Sequence, residues 1–217
     1  MKNIILILLS IINITPLNAA ENYKYGDPLY VASPKGLNLR AEPSSTSKIL
    51  VELKYNSQIS IIDKLPFTKS FTYLVTNFSS GTLKIKGFWV KISFNNLEGY
   101  VFDGNLTNYK YDAKGNNEDY AQIFGMPKVD SIVTYSEPVD GIKYEKITTK
   151  KIYPKVLEEV VIFFDGCYDV QQTFKKNITF NEAYWLINKY MQDADAANEI
   201  KIYKEKNSII FTYVSCT

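Results

Sequence analysis

The sequence predicts a mainly β protein in two parts, a small closed barrel followed by a small α+β domain. Three observations carry this. Residues 28–108 hold many short runs in which apolar and polar side chains alternate between polar turns, the pattern of a compact barrel. Residues 119–217 alternate in longer runs but include one segment with helical spacing, an antiparallel sheet with one helix. At 217 residues, 46% hydrophobic and 22% charged, the chain suits one medium or two small globular domains.

Composition excludes several function classes. There is no histidine, which removes Ser-His-Asp and Cys-His catalysis and every zinc site built on imidazole. A net charge of +2 argues against a nucleic-acid binder, whose domains carry a strongly basic patch. Asp193, Asp195 and Glu199 lack the ligand spacing and the glycine of a calcium loop. The expectation is a protein without metal, cofactor or catalytic residues. A mechanism using two carboxylates needs no histidine, yet no Asp/Glu pair stands in a recognisable context for one.

Residues 1–20 begin with Lys2, continue as an apolar run over 4–14, and end Pro16…Ala19-Ala20. This is the anatomy of a secretory signal peptide cleaved after Ala20. Eleven residues of helix reach only ~16 Å, about half a bilayer core. The mature chain is expected outside the cytoplasm, periplasmic or secreted, with no membrane span. Cys167 and Cys216 are the only cysteines, and in an exported chain they read as one disulfide.

In the first part, Leu37 and Leu39 share one face and Asn38 and Arg40 the other. A turn over 41–45 follows, then an inward row of Ile49, Val51 and Leu53. A second turn at Asn56-Ser57 leads to Ile59 and Ile61. Val90 and Ile92 alternate with Trp89 and Lys91, and the strand 99–102 ends at Asp103-Gly104. Residues 65–86 are an insertion, with 71–76 and 82–85 reading as an extra hairpin around Ser79-Ser80-Gly81.

The segments Leu37-Asn38-Leu39-Arg40-Ala41-Glu42-Pro43-Ser44, Trp89-Val90-Lys91-Ile92 and Gly99-Tyr100-Val101 occur in the order of the bacterial SH3-type domain, which residues 28–108 resemble. The chain departs from the family pattern in its insertion and at Tyr55-Asn56-Ser57, where the family has a glycine turn. The resemblance implies an SH3-like barrel and an extracytoplasmic binding module for cell-wall peptide or a protein partner. Alternation turns Trp89 and Tyr100 away from the core row. Joined by Tyr30 they either form a shallow platform for a ligand or pack beneath the inserted hairpin. Arg40 either holds a ligand carboxylate or pairs with Glu42 or another acid to brace the barrel. Candidate ligand-binding residues are thus Tyr30, Arg40, Trp89 and Tyr100. Ser45 and Lys48 match the S-x-x-K signature of penicillin-interacting enzymes, but here they fall in a turn without companion motifs.

Residues 109–118 are polar and read as a linker. Residues 118–124 then form a helical turn or two. Strands follow at 131–136, 142–151, 156–165 and 168–174, with hairpin turns at Asp140-Gly141 and Asp165-Gly166. The run Val160-Val161-Ile162-Phe163-Phe164 reads as the most buried strand. Thr179-x-x-Glu182 is a capping box, and Ala183, Leu186, Ile187 and Tyr190 continue at helical spacing. A last hairpin turns at 205–207. Lys143, Lys146, Lys150, Lys151 and Lys155 are either a contact for anionic wall polymer or an acidic partner, or a guard on strand edges. The leading functional expectation is an exported, non-enzymatic binding protein of the bacterial envelope. The alternative is an inhibitor or immunity-type protein whose C-terminal domain blocks an enzyme.

Overall fold

A computed structural model describes residues 23–64, 71–76, 82–111, 119–136, 142–154, 156–175, 177–191 and 197–216. Segment 1–20, expected above to be a signal peptide, the turns expected at 79–81 and 140–141, Lys155, Asp193, Asp195 and most of the expected linker lie outside the described residues.

The first part is one seven-stranded antiparallel sheet with a separate hairpin. Its strands are β1 (Pro28–Val31), β2 (Leu37–Arg40), β3 (Ile49–Leu53), β4 (Gln58–Lys64), β7 (Trp89–Phe94), β8 (Leu97–Phe102) and β9 (Leu106–Thr107). They are ordered β3-β2-β8-β7-β4-β1-β9. Every strand sends its inner residues into one cluster that includes Leu29, Leu39, Leu53, Ile61, Val90, Val101 and Leu106. Seven strands that share one inner core curl around it, and β3 and β9 remain the edges of the curled sheet. The inward row expected on β3 is buried only at Leu53. Ile49 is 48% exposed because β3 is the sheet's edge. Asn56, at φ 63, supplies the left-handed residue where the family has glycine.

The insertion folds as the expected hairpin. β5 (Phe71–Thr76) pairs with β6 (Thr82–Gly87) as a sheet of its own.

The second part is a six-stranded antiparallel sheet with two helices. α1 (Asp119–Phe124) is followed by β10 (Lys128–Tyr135), β11 (Glu145–Ile152), β12 (Leu157–Phe164) and β13 (Cys167–Phe174). Then come α2 (Phe180–Met191), β14 (Ala197–Glu205) and β15 (Ser208–Cys216). The strand order is β10-β11-β12-β13-β15-β14. Asp165 (φ 50) and Gly166 (φ 77) make the two-residue turn that joins β12 to β13. The capping box forms: Thr179 N–H donates to Glu182 Oε2 at 2.9 Å, and Glu182 N–H donates to Thr179 Oγ1 at 3.2 Å. Cys167 and Cys216 face each other across β13 and β15 and are disulfide-bonded. No described helix is long and apolar enough to cross a membrane.

Three expectations need correction. Val160 to Phe163 are half-buried and Phe164 is 37% exposed, because nothing among the described residues covers that end of the sheet. The buried positions of β12 are Leu157 and Glu159. The lysines of β11 do not guard an edge, since β10 is the edge and β11 lies inside it. Lys150 and Lys151 instead point to opposite faces and bind Glu158 and Glu159, each at 2.7 Å. The linker also begins as packed chain: Tyr111 is 4% exposed, and its carbonyl accepts the Tyr55 hydroxyl at 2.7 Å.

Candidate functional site

Register places the outer face of β2, β8 and β7 as rows. Arg40 lies opposite Tyr100, which lies opposite Lys91; Trp89 lies opposite Phe102. Directly paired residues share a sheet face, so Arg40, Tyr100, Lys91, Trp89 and Phe102 form one outer patch. Tyr30 is not part of it. It sits beside Gln58 on β1, across β4 and about six residues, or ~20 Å, further along the strands.

Trp89 takes the packed arrangement. Its ring centroid is 5.8 Å from Phe71 of the inserted hairpin and 6.3 Å from Phe102. Phe71 meets Phe102 edge-on at 5.3 Å, and Tyr73 does so at 5.4 Å. The Tyr73 hydroxyl also donates to Asn105 Oδ1. The hairpin therefore closes over the aromatic end of the patch.

Tyr100, Lys91 and Arg40 remain half-exposed at the other end. Arg40 donates from one guanidinium nitrogen to the Ser47 carbonyl at 2.6 Å, so it braces the β2–β3 turn through backbone rather than through Glu42. Lys91 and Glu98 pair at 2.7 Å across β7 and β8, and that hydrogen bond raises the lysine's pKa.

Sequence reading missed the junction between the two parts. One hydrophobic cluster joins Ala32, Ile85, Phe102 and Tyr111 of the first part to Phe124, Phe174, Trp185 and Phe211 of the second. α2 lies inside it. Asn181, Glu182, Tyr184 and Trp185 are buried along with the apolar row. The signal was present in the sequence, since a helix that carries aromatics off its main apolar stripe is covered on more than one side.

Polar contacts fix the junction. Trp185 Nε1 donates to Gly104 O at 2.9 Å, and Asn181 Nδ2 donates to Lys86 O at 2.7 Å. Glu182 Oε1 accepts the Asn108 N–H at 3.0 Å. Buried Asp103 accepts from Phe88 N–H at 2.6 Å and from Tyr23 OH at 2.7 Å. Burial, reinforced by the Asp103 charge, pushes the Tyr23 hydroxyl far above the usual phenol range. A Cβ at Gly87 would strike Asp103 Oδ1, so glycine is needed for that close approach.

No curated protein and no solved structure matches the chain. Residues 35–107 match the family model of the bacterial SH3 domain, so the barrel, from β2 to β9, is a bacterial SH3 domain.

Proposed function

We propose that the chain is an exported, non-enzymatic binding protein of the bacterial cell envelope, and that its SH3-type barrel holds a cell-wall peptide or an envelope protein. Bacterial SH3 domains are binding modules for such partners, and the observation that carries the reading is the family match over 35–107. The disulfide supports export, because such bonds persist in oxidising compartments.

The binding surface in this reading is the open end of the outer patch, where Tyr100 stands between Arg40 and Lys91. A ring beside a guanidinium suits an extended peptide bearing a carboxylate: the ring stacks, and Arg40, which spends one nitrogen on the Ser47 carbonyl, keeps further donors for the carboxylate, while Lys91 stays paired with Glu98. Trp89 contributes less, since it is half-buried against Phe71 and Phe102.

The test is retention of the purified chain on isolated sacculi, run beside capture from a detergent-extracted envelope lysate. Tyr100→Ala should weaken retention about tenfold or more, as for an aromatic hot spot of about 1–3 kcal/mol, while the melting temperature stays near that of the parent. Equal retention of variant and parent would sink this surface. Clearing of sacculi by the parent would replace binding with catalysis.

A further inference from the structure

We propose that the chain dimerises through β10, two copies joining edge to edge in one antiparallel register. All eight residues of β10 are exposed, and the strand pairs with β11 without a bulge. Edge strands of this length are ordinarily kinked, covered or charged, because their outward N–H and C=O groups recruit another strand. Val129, Ile132, Val133 and Tyr135 are 56%, 60%, 51% and 64% exposed, with apolar side chains on both faces of the edge.

The opposite edge selects the occupant. β14 is kinked between Asn198 and Lys201, where Glu199 has φ 51, and Lys201 and Lys204 are exposed along it. Pairing of β10 with β14 of another copy would propagate an open filament, whereas pairing of β10 with itself closes after one step. One bare edge and one blunted edge favour the closed dimer.

Hydrogen-bond parity sets the register. Ser136 N–H donates to Tyr144 O at 2.9 Å, so even positions face β11. The odd ones, Val129, Ser131, Val133 and Tyr135, turn their backbone groups outward. A second copy must therefore match odd with odd. Centring the pair on Ile132 engages all of 128–136. It sets Val129 against the copy's Tyr135, Ser131 against its Val133, Asp130 against its Thr134, and Ile132 against itself. No like charges meet.

Centring on Asp130 would oppose two carboxylates. Centring on Ser131 would bring Pro127, which has no N–H, to a bonding position. Centring on Val133 would carry Val129 past the end of β10. The favoured pairing covers roughly 1,000–1,200 Å² in total, at the lower bound for a specific interface, so monomer and dimer should exchange.

Sedimentation velocity of the purified chain should show monomer giving way to dimer over roughly 1–200 µM. Under mild oxidation, Ile132→Cys should cross-link to a covalent dimer, because opposed residues of a non-bonded pair lie about 4.5 Å apart. Val129→Cys should not, since its counterpart is ~20 Å away along the strand. Val133→Lys should raise the monomer–dimer midpoint at least about tenfold with the far-UV spectrum unchanged. Three results would overturn the proposal: a monomer throughout that range, a dimer indifferent to Val133→Lys, or Val129→Cys cross-linking as readily as Ile132→Cys. A monomer that instead takes an extended peptide along β10 would overturn it as well.

Discussion

Replacing Glu182 with alanine should destabilise the whole molecule and not just the start of α2. Glu182 is 5% exposed, and its carboxylate serves two structures at once. Oε2 accepts Thr179 N–H at 2.9 Å and the Thr179 hydroxyl at 3.0 Å, completing the capping box. Oε1 accepts Asn108 N–H at 3.0 Å and the Asn108 side-chain amide at 3.3 Å, which ties the helix start to the end of the barrel. Loss of a cap costs about 1 kcal/mol, and a second buried N–H left without an acceptor about 1–3 kcal/mol. The sum, about 2–4 kcal/mol, is a large share of the roughly 5–15 kcal/mol that holds a typical domain together.

Urea unfolding followed by far-UV dichroism should therefore move by roughly 1–2 M at the m-values usual for small proteins. Glu182→Gln keeps one carbonyl acceptor and should lose about half as much. The two tryptophans report on separate regions, Trp89 under the inserted hairpin and Trp185 on α2. Because Trp185 lies in one cluster and Trp89 packs against it, each single-tryptophan variant should show one transition whose fluorescence midpoint coincides with its own dichroism midpoint, with or without Glu182→Ala. Two separate transitions in the parent, or a shift below about 0.5 kcal/mol in the variant, would refute the shared-core argument.

Trp89→Ala should chiefly destabilise, by about 2–3 kcal/mol for a half-buried aromatic, and the parent's Trp89 emission should be blue-shifted and resist quencher once Trp185→Phe removes the second signal. Thiol titration under denaturing conditions should find no free sulfhydryl; two would mean that packing alone holds the C-terminal strand. In an alkaline titration, Tyr23, Tyr73, Tyr109, Tyr120, Tyr153, Tyr184 and Tyr213 should stay protonated above the usual phenol range, because burial raises all of them, Tyr109 to about 12. Their contribution to stability is complete below pH ~10, the unfolded value, and is lost as pH rises towards the folded values, so unfolding should set in above pH ~10 and release the seven together. Ionisation of all tyrosines near pH 10 with the fold intact would contradict this.

What could be read from the sequence was what neighbouring residues decide. The capping box at Thr179 and Glu182, the Asp165-Gly166 turn, the inserted hairpin and the order of four strands, helix and two strands depend on local periodicity and turn chemistry. The reading of 160–164 went wrong because an apolar run does not say whether anything covers it. A helix of twelve residues reaches only ~18 Å, whereas six strands span ~24 Å. α2 touches β14 at one end of the sheet, so among the described residues nothing covers the β10 end. Arg40 was legible as a brace but not in its partner, since a backbone carbonyl seven positions away leaves no mark in residue type.

The covered aromatic patch and the bare sheet edge follow from one arrangement. A barrel of this family needs its inner row to fold, and that row makes a core of its own here. The outer aromatics Trp89 and Phe102 are not required for that core, yet the inserted hairpin covers them and Phe102 belongs to the same cluster as α2. α2 is thereby held between two surfaces, the barrel at Gly104 and Asn108 and the sheet at Ile202 and Phe211. A helix engaged on both sides cannot slide along the sheet to shelter β10 without giving up Trp185 and Glu182. Docking the second part onto the barrel thus fixes which end of the six-stranded sheet is sheltered. It also leaves Arg40, Tyr100 and Lys91 as the half-exposed row of the barrel's outer patch.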